Sequence, residues 1–258
     1  MTTKIYHNRY HNKFALFYDY FQKGVKGDVK FYLDYFKNFK GKILEIGAGT
    51  GRITIPLLKR GLNITALDIA PRMLKVLKEK AKKEKLSVKT ICADMIKFRL
   101  QDKFDAIIIT FRTFQHMYSV TDQLSSLRNI KKHLKPNGVL IFDVYNPSLK
   151  YIQKGDWQWH KDENIKLAGI RGIIKIDYRN RYDMAEQMMY QEYRFSYPNG
   201  QKKIIPLQMR FFFRFEIEHL LHLAGFKIKN LYGDFKKNKF KNNSTEMIWI
   251  AKSIKTIK

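Results

Sequence analysis

Cysteine is nearly absent: the chain of 258 residues has one, Cys92. A single thiol excludes an internal disulfide framework and any zinc site built from several cysteines. Proline is scarce too, at 6 residues, and no low-complexity linker or internal repeat divides the chain. No apolar run approaches the roughly 20 residues needed to span a bilayer. Met1 to Asn12 is polar and lacks the apolar core of a secretory signal, so a cytoplasmic location with no membrane partner is expected. Acids are few, 23 Asp+Glu against 50 Lys+Arg, which leaves a formal charge of +27. Apolar side chains are plentiful: 45% of residues are hydrophobic and 14% aromatic, enough to build a core and to exclude intrinsic disorder. At roughly 150 residues per domain, this length holds one enlarged domain or two small ones.

The basic excess would attract any polyanion through counterion release. Its distribution weakens that reading. Lysines recur along a helical stretch (Lys75, Lys78, Lys80, Lys82, Lys83, Lys85) with Glu79 and Glu84 among them, the pattern of a solvated helix face more than of a nucleic-acid groove. Base bias in a genome or adaptation to heat produces the same Lys-, Ile- and Asn-rich composition. Charge therefore describes surroundings before it describes chemistry.

From Phe14 to Phe39 aromatic residues recur at three- and four-residue spacing, interrupted by Gly24 and Gly27, which predicts two amphipathic helices. A strand over Lys42 to Ile46 enters Gly47-Ala48-Gly49-Thr50-Gly51, and a helix follows over Ile53 to Lys59. The unit recurs as a strand over Asn63 to Asp68, a helix over Pro71 to Lys85, and strands over Ser87 to Cys92 and Phe104 to Thr110. A helix over Leu124 to Leu134 and a strand over Val139 to Val144 continue it. Strands alternating with helices imply a doubly wound, mostly parallel sheet with helices on both faces. After Pro147 the rhythm changes: Ile165 to Tyr178 and Met189 to Tyr197 read as strands, with a turn at Tyr197-Pro198-Asn199-Gly200. A helix over Phe215 to Ala224, capped by Gly225, and strands over Phe226 to Tyr232 and Glu246 to Ala251 then resume the α/β pattern. The β-rich stretch is thus read as an antiparallel insertion over the sheet. The expected division is a helical cap over 1–40, a core domain over 41–147 and 215–258, and a lid over 148–214.

A glycine turn between a first strand and its helix lets backbone approach a ligand. The dinucleotide fingerprint needs a third glycine where Arg52 stands, so the spacing Gly47-x-Gly49-x-Gly51 requires another explanation. Asp68 closes the second strand, where a carboxylate can accept both hydroxyls of a ribose, and Asp94 follows the third, placed for an adenine amine. Together these strand ends describe an adenosine site.

Four blocks carry a resemblance: residues 43–52 (Ile-Leu-Glu-Ile-Gly-Ala-Gly-Thr-Gly-Arg), 67–74 (Leu-Asp-Ile-Ala-Pro-Arg-Met-Leu), 92–95 (Cys-Ala-Asp-Met) and 134–143 (Leu-Lys-Pro-Asn-Gly-Val-Leu-Ile-Phe-Asp). In them the chain resembles the class I S-adenosylmethionine-dependent methyltransferases. Ala224-Gly225-Phe226, followed by Trp249-Ile250-Ala251, is similar to that family's final strands. The insertion and Tyr232-Gly233-Asp234-Phe235 resemble its small-molecule branch, which includes amino-sugar and glycine-type N-methyltransferases. The resemblance implies a seven-stranded Rossmann-like sheet and a site for S-adenosylmethionine, with S-adenosylhomocysteine as product. It implies Gly47, Ala48 and Gly49 along the methionyl part, Glu45 fixing its amino group, and Asp68 on the ribose. Ile69 and Met73 would pack on adenine, Asp94 would accept from its amine and Met95 would cover it. Thr110 and Phe111 would face the sulfonium, and Tyr18 would close the site. For Ile69, Met73 and Met95 plain core packing is the competing expectation.

Transfer from a sulfonium needs alignment and exclusion of water more than a nucleophilic side chain. For an amine acceptor a proton must leave, and His116, Tyr118 and Tyr145 are the candidates, with His116 and Tyr145 carried as the catalytic pair. The insertion carries Trp157, Trp159, His160, Arg171, Tyr178, Arg179, Arg181, Tyr193, Arg194 and Arg210. Arg112, Tyr145 and Arg210 are the expected acceptor contacts. No metal is expected. The expected activity is methylation of a small molecule by a monomer or homodimer; the alternatives are an RNA methyltransferase and a non-catalytic, cofactor-sensing nucleic-acid-binding protein. The acceptor itself is not legible.

Overall fold

The computed structural model describes residue 15 and residues 17–167 and 169–254. Phe14, where the first predicted helix would begin, lies outside them. Two short helices, α1 (Tyr18–Phe21) and α2 (Asp28–Tyr35), precede β1 (Lys42–Ile46), α3 (Thr54–Lys59), β2 (Asn63–Asp68), α4 (Pro71–Lys83), β3 (Lys89–Cys92) and β4 (Phe104–Ile109). A single 3-10 turn (Thr113–His116) leads to α5 (Val120–His133), β5 (Leu134–Tyr145) and α6 (Leu149–Gln153). Then come β6 (His160–Lys161), β7 (Lys175–Asp183), β8 (Met188–Ser196), β9 (Lys202–Arg210), α7 (Arg214–Leu223), β10 (Phe226–Tyr232) and β11 (Glu246–Ser253).

Seven strands form one sheet in the order β10-β11-β5-β4-β1-β2-β3, and β6-β7-β8-β9 form a second, antiparallel sheet. In the first, β11 runs antiparallel to β5 and to β10, while the other pairings are parallel. The parallel strands are apolar on both faces because helices cover both. Alternate residues divide between the two layers: Ile43, Ile64 and Ile108 pack under α2 and α3, and Leu44, Ile107 and Ile109 pack under α5 and α7. The carboxyl ends of the five parallel strands therefore share one edge of the sheet, where doubly wound folds place their ligands.

Two local expectations are corrected and one strand is added. Ile165 to Tyr178 is not one strand: Ile165 bridges back to Ile174, and β7 starts only at Lys175. Gly169 and Gly172, at φ +83° and +110°, turn the chain between them. Helix α5 starts four residues before the predicted Leu124 because Ser119 Oγ accepts from the Asp122 N–H at 3.0 Å and caps it. Strand β9 was not legible, since Pro206 interrupts its pattern; it is tolerated because β9 is an edge strand.

Candidate active site

Three glycines shape the turn after β1, each with a left-handed backbone: Gly47 at φ +73°, Gly49 at +54° and Gly51 at +87°. A Cβ at Gly47 would lie 2.4 Å from Thr113 Oγ1, and one at Gly51 would lie 2.1 Å from Leu77 Cδ1 of α4. At Gly49 the nearest atom would be Gly47 O at 4.0 Å. The outer glycines thus let the turn pack against its neighbours, and the middle one leaves its backbone open to the cavity. Gly51 replaces the missing third glycine of the dinucleotide pattern by allowing close contact with α4. Asp68 Oδ2 accepts from the Gly49 N–H at 2.8 Å, and its Oδ1 accepts from the Ala70 N–H at 2.8 Å. Burial raises its pKa above the usual carboxylate range, against the pull of these backbone donors. A carboxylate offers about four lone-pair sites, and with the Ile69 N–H also engaged Asp68 can still accept a further bond. Asp94 Oδ1 accepts from the Ile96 N–H at 2.9 Å, which fixes the turn after β3.

At the end of β4, Phe111 and Arg112 both take left-handed conformations, at φ 53° and 63°. Side chains disfavour this backbone, and something must hold it. Asp143, at the end of β5 and 1% exposed, accepts from the Phe111 N–H at 3.0 Å through Oδ1 and from the Arg112 N–H at 2.9 Å through Oδ2. Burial, with Glu246 adding, pushes its pKa up to about 7. The Arg112 guanidinium bonds Glu246 Oε1 and lies 5.5 Å from the centre of the Tyr145 ring.

Helix α1 is fastened across the glycine turn. Asp19 accepts from Thr50 Oγ1 and pairs with Lys80 of α4 at 2.8 Å, while Phe21 packs edge-on against Tyr193 and Phe195 of the second sheet, 5.6 Å from each. Arg52 pairs with buried Asp28 at 2.6 Å and stacks over Phe111 at 4.9 Å. Sequence reasoning noted Arg52 only as the residue that spoils a glycine pattern. Its ion pair joins residues 24 apart, and no local spacing announces it.

These elements enclose a cavity of about 1230 Å³. Among the expected cofactor residues, Tyr18, Gly47, Gly49, Asp68, Ile69, Met73, Asp94, Met95 and Phe111 line it. Glu45, Ala48 and Thr110 do not; they stand behind the wall. The Glu45 carboxylate, buried and pushed up to about 7, accepts from Thr54 Oγ1 at 2.5 Å and Thr110 Oγ1 at 2.9 Å. Of the expected acceptor-side residues, Arg112, His116, Tyr118 and Tyr145 line the cavity. Arg210 stands outside it, with its guanidinium bonded to the Tyr118 and Glu186 carbonyls at 3.3 Å and to Gln187 Oε1 at 2.9 Å. Burial raises the Tyr145 phenol above its ordinary pKa, so at neutral pH it is a hydrogen-bond donor rather than a base.

The second sheet covers the cavity with one face. Alternation turns Asn180, Tyr182, Met189, Gln191, Leu207 and Met209 inward. Of the ten insertion residues singled out in the sequence, only Tyr193 reaches the wall. The arginines point the other way: Arg179 and Arg194 stack on Trp159 at 4.6 and 4.2 Å, and Arg181 stacks on Tyr190 at 4.3 Å. Sequence reasoning also missed the polar loop from Asn242 to Glu246, which closes the acceptor end. Among the described residues, no cluster could hold a metal ion, and no helix is long and apolar enough to cross a membrane.

A glycine turn with carboxylates at the next two strand ends, in a sheet of this order, defines a class I S-adenosylmethionine-dependent methyltransferase. Residues 43–138 match the family described as "Methyltransferase domain". A glycine/sarcosine N-methyltransferase of Aphanothece halophytica is 25% identical over 216 residues, covering 82% of this chain and 76% of that protein. The CcbJ methyltransferase of Streptomyces caelestis shares the fold with a TM-score of 0.80 at 18% identity, over 95% of this chain and 98% of that one. The sugar N-methyltransferase KedS8 of Streptoalloteichus aligns with a TM-score of 0.71 at 16% identity, covering 94% and 93%.

Proposed function

We propose that this methyltransferase acts on the nitrogen of a small-molecule amine. The observation that carries the reading is the charge of the cavity wall. On a chain of net +27, the wall holds Asp68, Asp94, Asp122 and Glu246 against Arg112 and Lys150. Such a wall attracts amines. Its volume of about 1230 Å³ exceeds the roughly 300–1,000 Å³ of ordinary single-ligand pockets, consistent with a cofactor and an acceptor held together. The names of two similar proteins, a glycine/sarcosine and a sugar N-methyltransferase, point the same way.

The residues present fit the cofactor: an open backbone at Gly49, free lone pairs on Asp68 and Asp94, and apolar Ile69, Met73 and Met95 on the same wall. In this reading Asp68 receives the ribose hydroxyls, Asp94 the adenine amine, and Tyr18 and Phe111 close on the sulfur end. Glu45 acts at one remove, by holding Thr110 and Thr54. When bound, S-adenosylmethionine supplies a methyl group on a positively charged sulfur, so the acceptor's lone pair forms the new bond as the sulfur–methyl bond breaks and neutral S-adenosylhomocysteine leaves. The chain's task is orientation and exclusion of water. Residues 148–214 act as the lid, 1–40 as the cap, whose described residues Asp19 and Phe21 join lid to glycine turn, and 41–147 with 215–258 as the cofactor domain. His116 is the group at the wall suited to take up the acceptor's proton.

The test is formation of S-adenosylhomocysteine from S-adenosylmethionine with small amines, matched alcohols and acids, and transfer RNA offered in parallel. Turnover with amines is expected. Turnover confined to RNA would overturn the reading in favour of the alternative that the overall charge suggests.

A further inference from the structure

Two of the polar groups at the cavity wall lie side by side. Glu246 opens β11 and Tyr145 closes β5, and the two are directly paired across the antiparallel ladder. Cross-strand partners present their side chains on one face, with Cβ atoms about 5 Å apart. Both line the cavity. Glu246 is 3% exposed; its Oε1 bonds the Arg112 guanidinium, whereas its Oε2 is buried with no partner, and so is the Tyr145 hydroxyl. A buried carboxylate oxygen or phenol without a hydrogen bond is costly and marks a place that a ligand completes.

The sheet order decides which ligand. The residues suited to the adenosyl group end β1, β2 and β3, while Tyr145 and Glu246 sit at β5 and β11, on the other side of β4. The pair therefore belongs to the acceptor's half of the cavity. A free carboxylate oxygen needs a donor. The Arg112 guanidinium is paired with Glu246 Oε1, so a donor for Oε2 must come from elsewhere.

We propose that Glu246, with Tyr145, forms the recognition site for the acceptor's amine: Glu246 Oε2 accepts from the amine N–H, and the Tyr145 hydroxyl donates to a neighbouring oxygen or lone pair of the acceptor. Arg112 is the positioning residue, fixing the carboxylate by one oxygen and packing on the Tyr145 ring. The site so described takes a small molecule carrying an amine beside a hydroxyl or ether oxygen. This rests on the amine reading above and adds the group that selects for it.

The probes are ethanolamine, sarcosine and glucosamine, each beside its hydroxyl analogue (ethylene glycol, glycolate, glucose). Glu246→Gln keeps an oxygen for Arg112 and removes the charge. For every amine the wild type methylates, this variant should raise KM about tenfold or more, the cost of losing a charge-assisted bond, while the dissociation constant for S-adenosylhomocysteine stays within about twofold. Tyr145→Phe should raise KM for the hydroxyl-bearing amines more than for sarcosine. A readout that needs no turnover is the side-chain carboxyl 13C resonance of Glu246 in the S-adenosylhomocysteine complex, assigned by its loss in Glu246→Gln. It should move with amines and stay still with the hydroxyl analogues. Amine turnover that Glu246→Gln leaves untouched, or a resonance indifferent to every amine, overturns the assignment of Glu246. Turnover of the hydroxyl analogues and of no amine overturns the amine reading itself.

Discussion

Replacing Asp143 by Asn should cost cofactor affinity without unfolding the protein. Asp143 accepts from the Phe111 and Arg112 N–H groups, one per oxygen, and so stabilises two consecutive left-handed residues. Asparagine has one acceptor oxygen, and its NH2 group would face the second N–H. An unsatisfied buried donor costs about 1–3 kcal/mol. Losing a buried charge, on a carboxyl whose pKa burial has pushed up to about 7, offsets part of that in global stability. The local effect remains: Phe111 and Arg112 lose their fixed place in the wall, and a penalty of one or two kcal/mol lowers S-adenosylhomocysteine affinity about 5- to 30-fold. Calorimetric titration across pH tests this. As pH falls through about 7, Asp143 gains a proton and one oxygen becomes a donor, as in the variant, so wild-type affinity should fall while Asp143→Asn stays flat. Glu45 titrates in the same range but through Thr54 and Thr110. Equal affinity in the two proteins, or an undiminished pH slope in the variant, would refute Asp143 as the support of the turn.

Asp68→Ala should weaken S-adenosylhomocysteine binding by on the order of 2–3 kcal/mol, because both the ligand contacts and the Gly49 anchor go; Asp94→Ala should cost less, since water can replace a single base-edge bond. Calorimetry ranks the two, and the reverse order would misplace the adenosine. Arg52→Met should destabilise the fold by about 3 kcal/mol in urea unfolding, by stranding the Asp28 carboxylate in the interior; a change near zero would mean that the cap is held by other contacts. Burial raises the pKa values of Glu45, Asp68, Asp143 and Glu246, so the native state holds protons more tightly than the unfolded chain. Their contribution to stability falls as pH rises from about 4 to about 7 and is flat above. The ligand-free protein at moderate salt should therefore melt higher near pH 6 than near pH 8; a Tm that rises with pH across this interval would contradict these shifts.

That the glycine turn and the two carboxylates would line one cavity was legible because their determinants are local. Gly47, Gly49, Asp68 and Asp94 each follow a strand at short range, and a strand end is fixed by the same alternation that fixes the sheet. The β11 side of the cavity was not. Glu246 reaches the cavity only through the antiparallel pairing of β11 with β5, a contact between residues 101 apart in register with Tyr145. The lid illustrates the same limit: composition announced an aromatic and arginine-rich sheet, but with a period of two only the register tells inward from outward. Arg179, Arg181 and Arg194 fell on the outer face, and plainer residues such as Gln191 and Met209 fell on the inner one. Glu45 stands behind the wall for a reason that lies outside its own segment. Its place at the glycine turn was evident, but the hydroxyls of Thr54 and Thr110 that engage it come from two other segments.

The +27 charge and the acidic wall are compatible only if the cations lie on the outer surface, and that separation has a measurable consequence. Lysines on the exposed face of α4, such as Lys75, Lys78 and Lys82, are free to meet phosphates without approaching the cavity. Binding of transfer RNA at low salt is then expected from charge alone, with log K falling by about 0.7–0.9 per phosphate contact per unit of log salt. Because those contacts are remote from the site, saturating S-adenosylhomocysteine should leave both the affinity and the slope unchanged, and RNA should not compete with an amine. If RNA instead bound tighter to the cofactor-loaded protein and resisted salt, an interaction inside the cavity would be carrying it. An acidic wall offers no such interaction, so that outcome would mean that the acceptor half of the cavity has been misread.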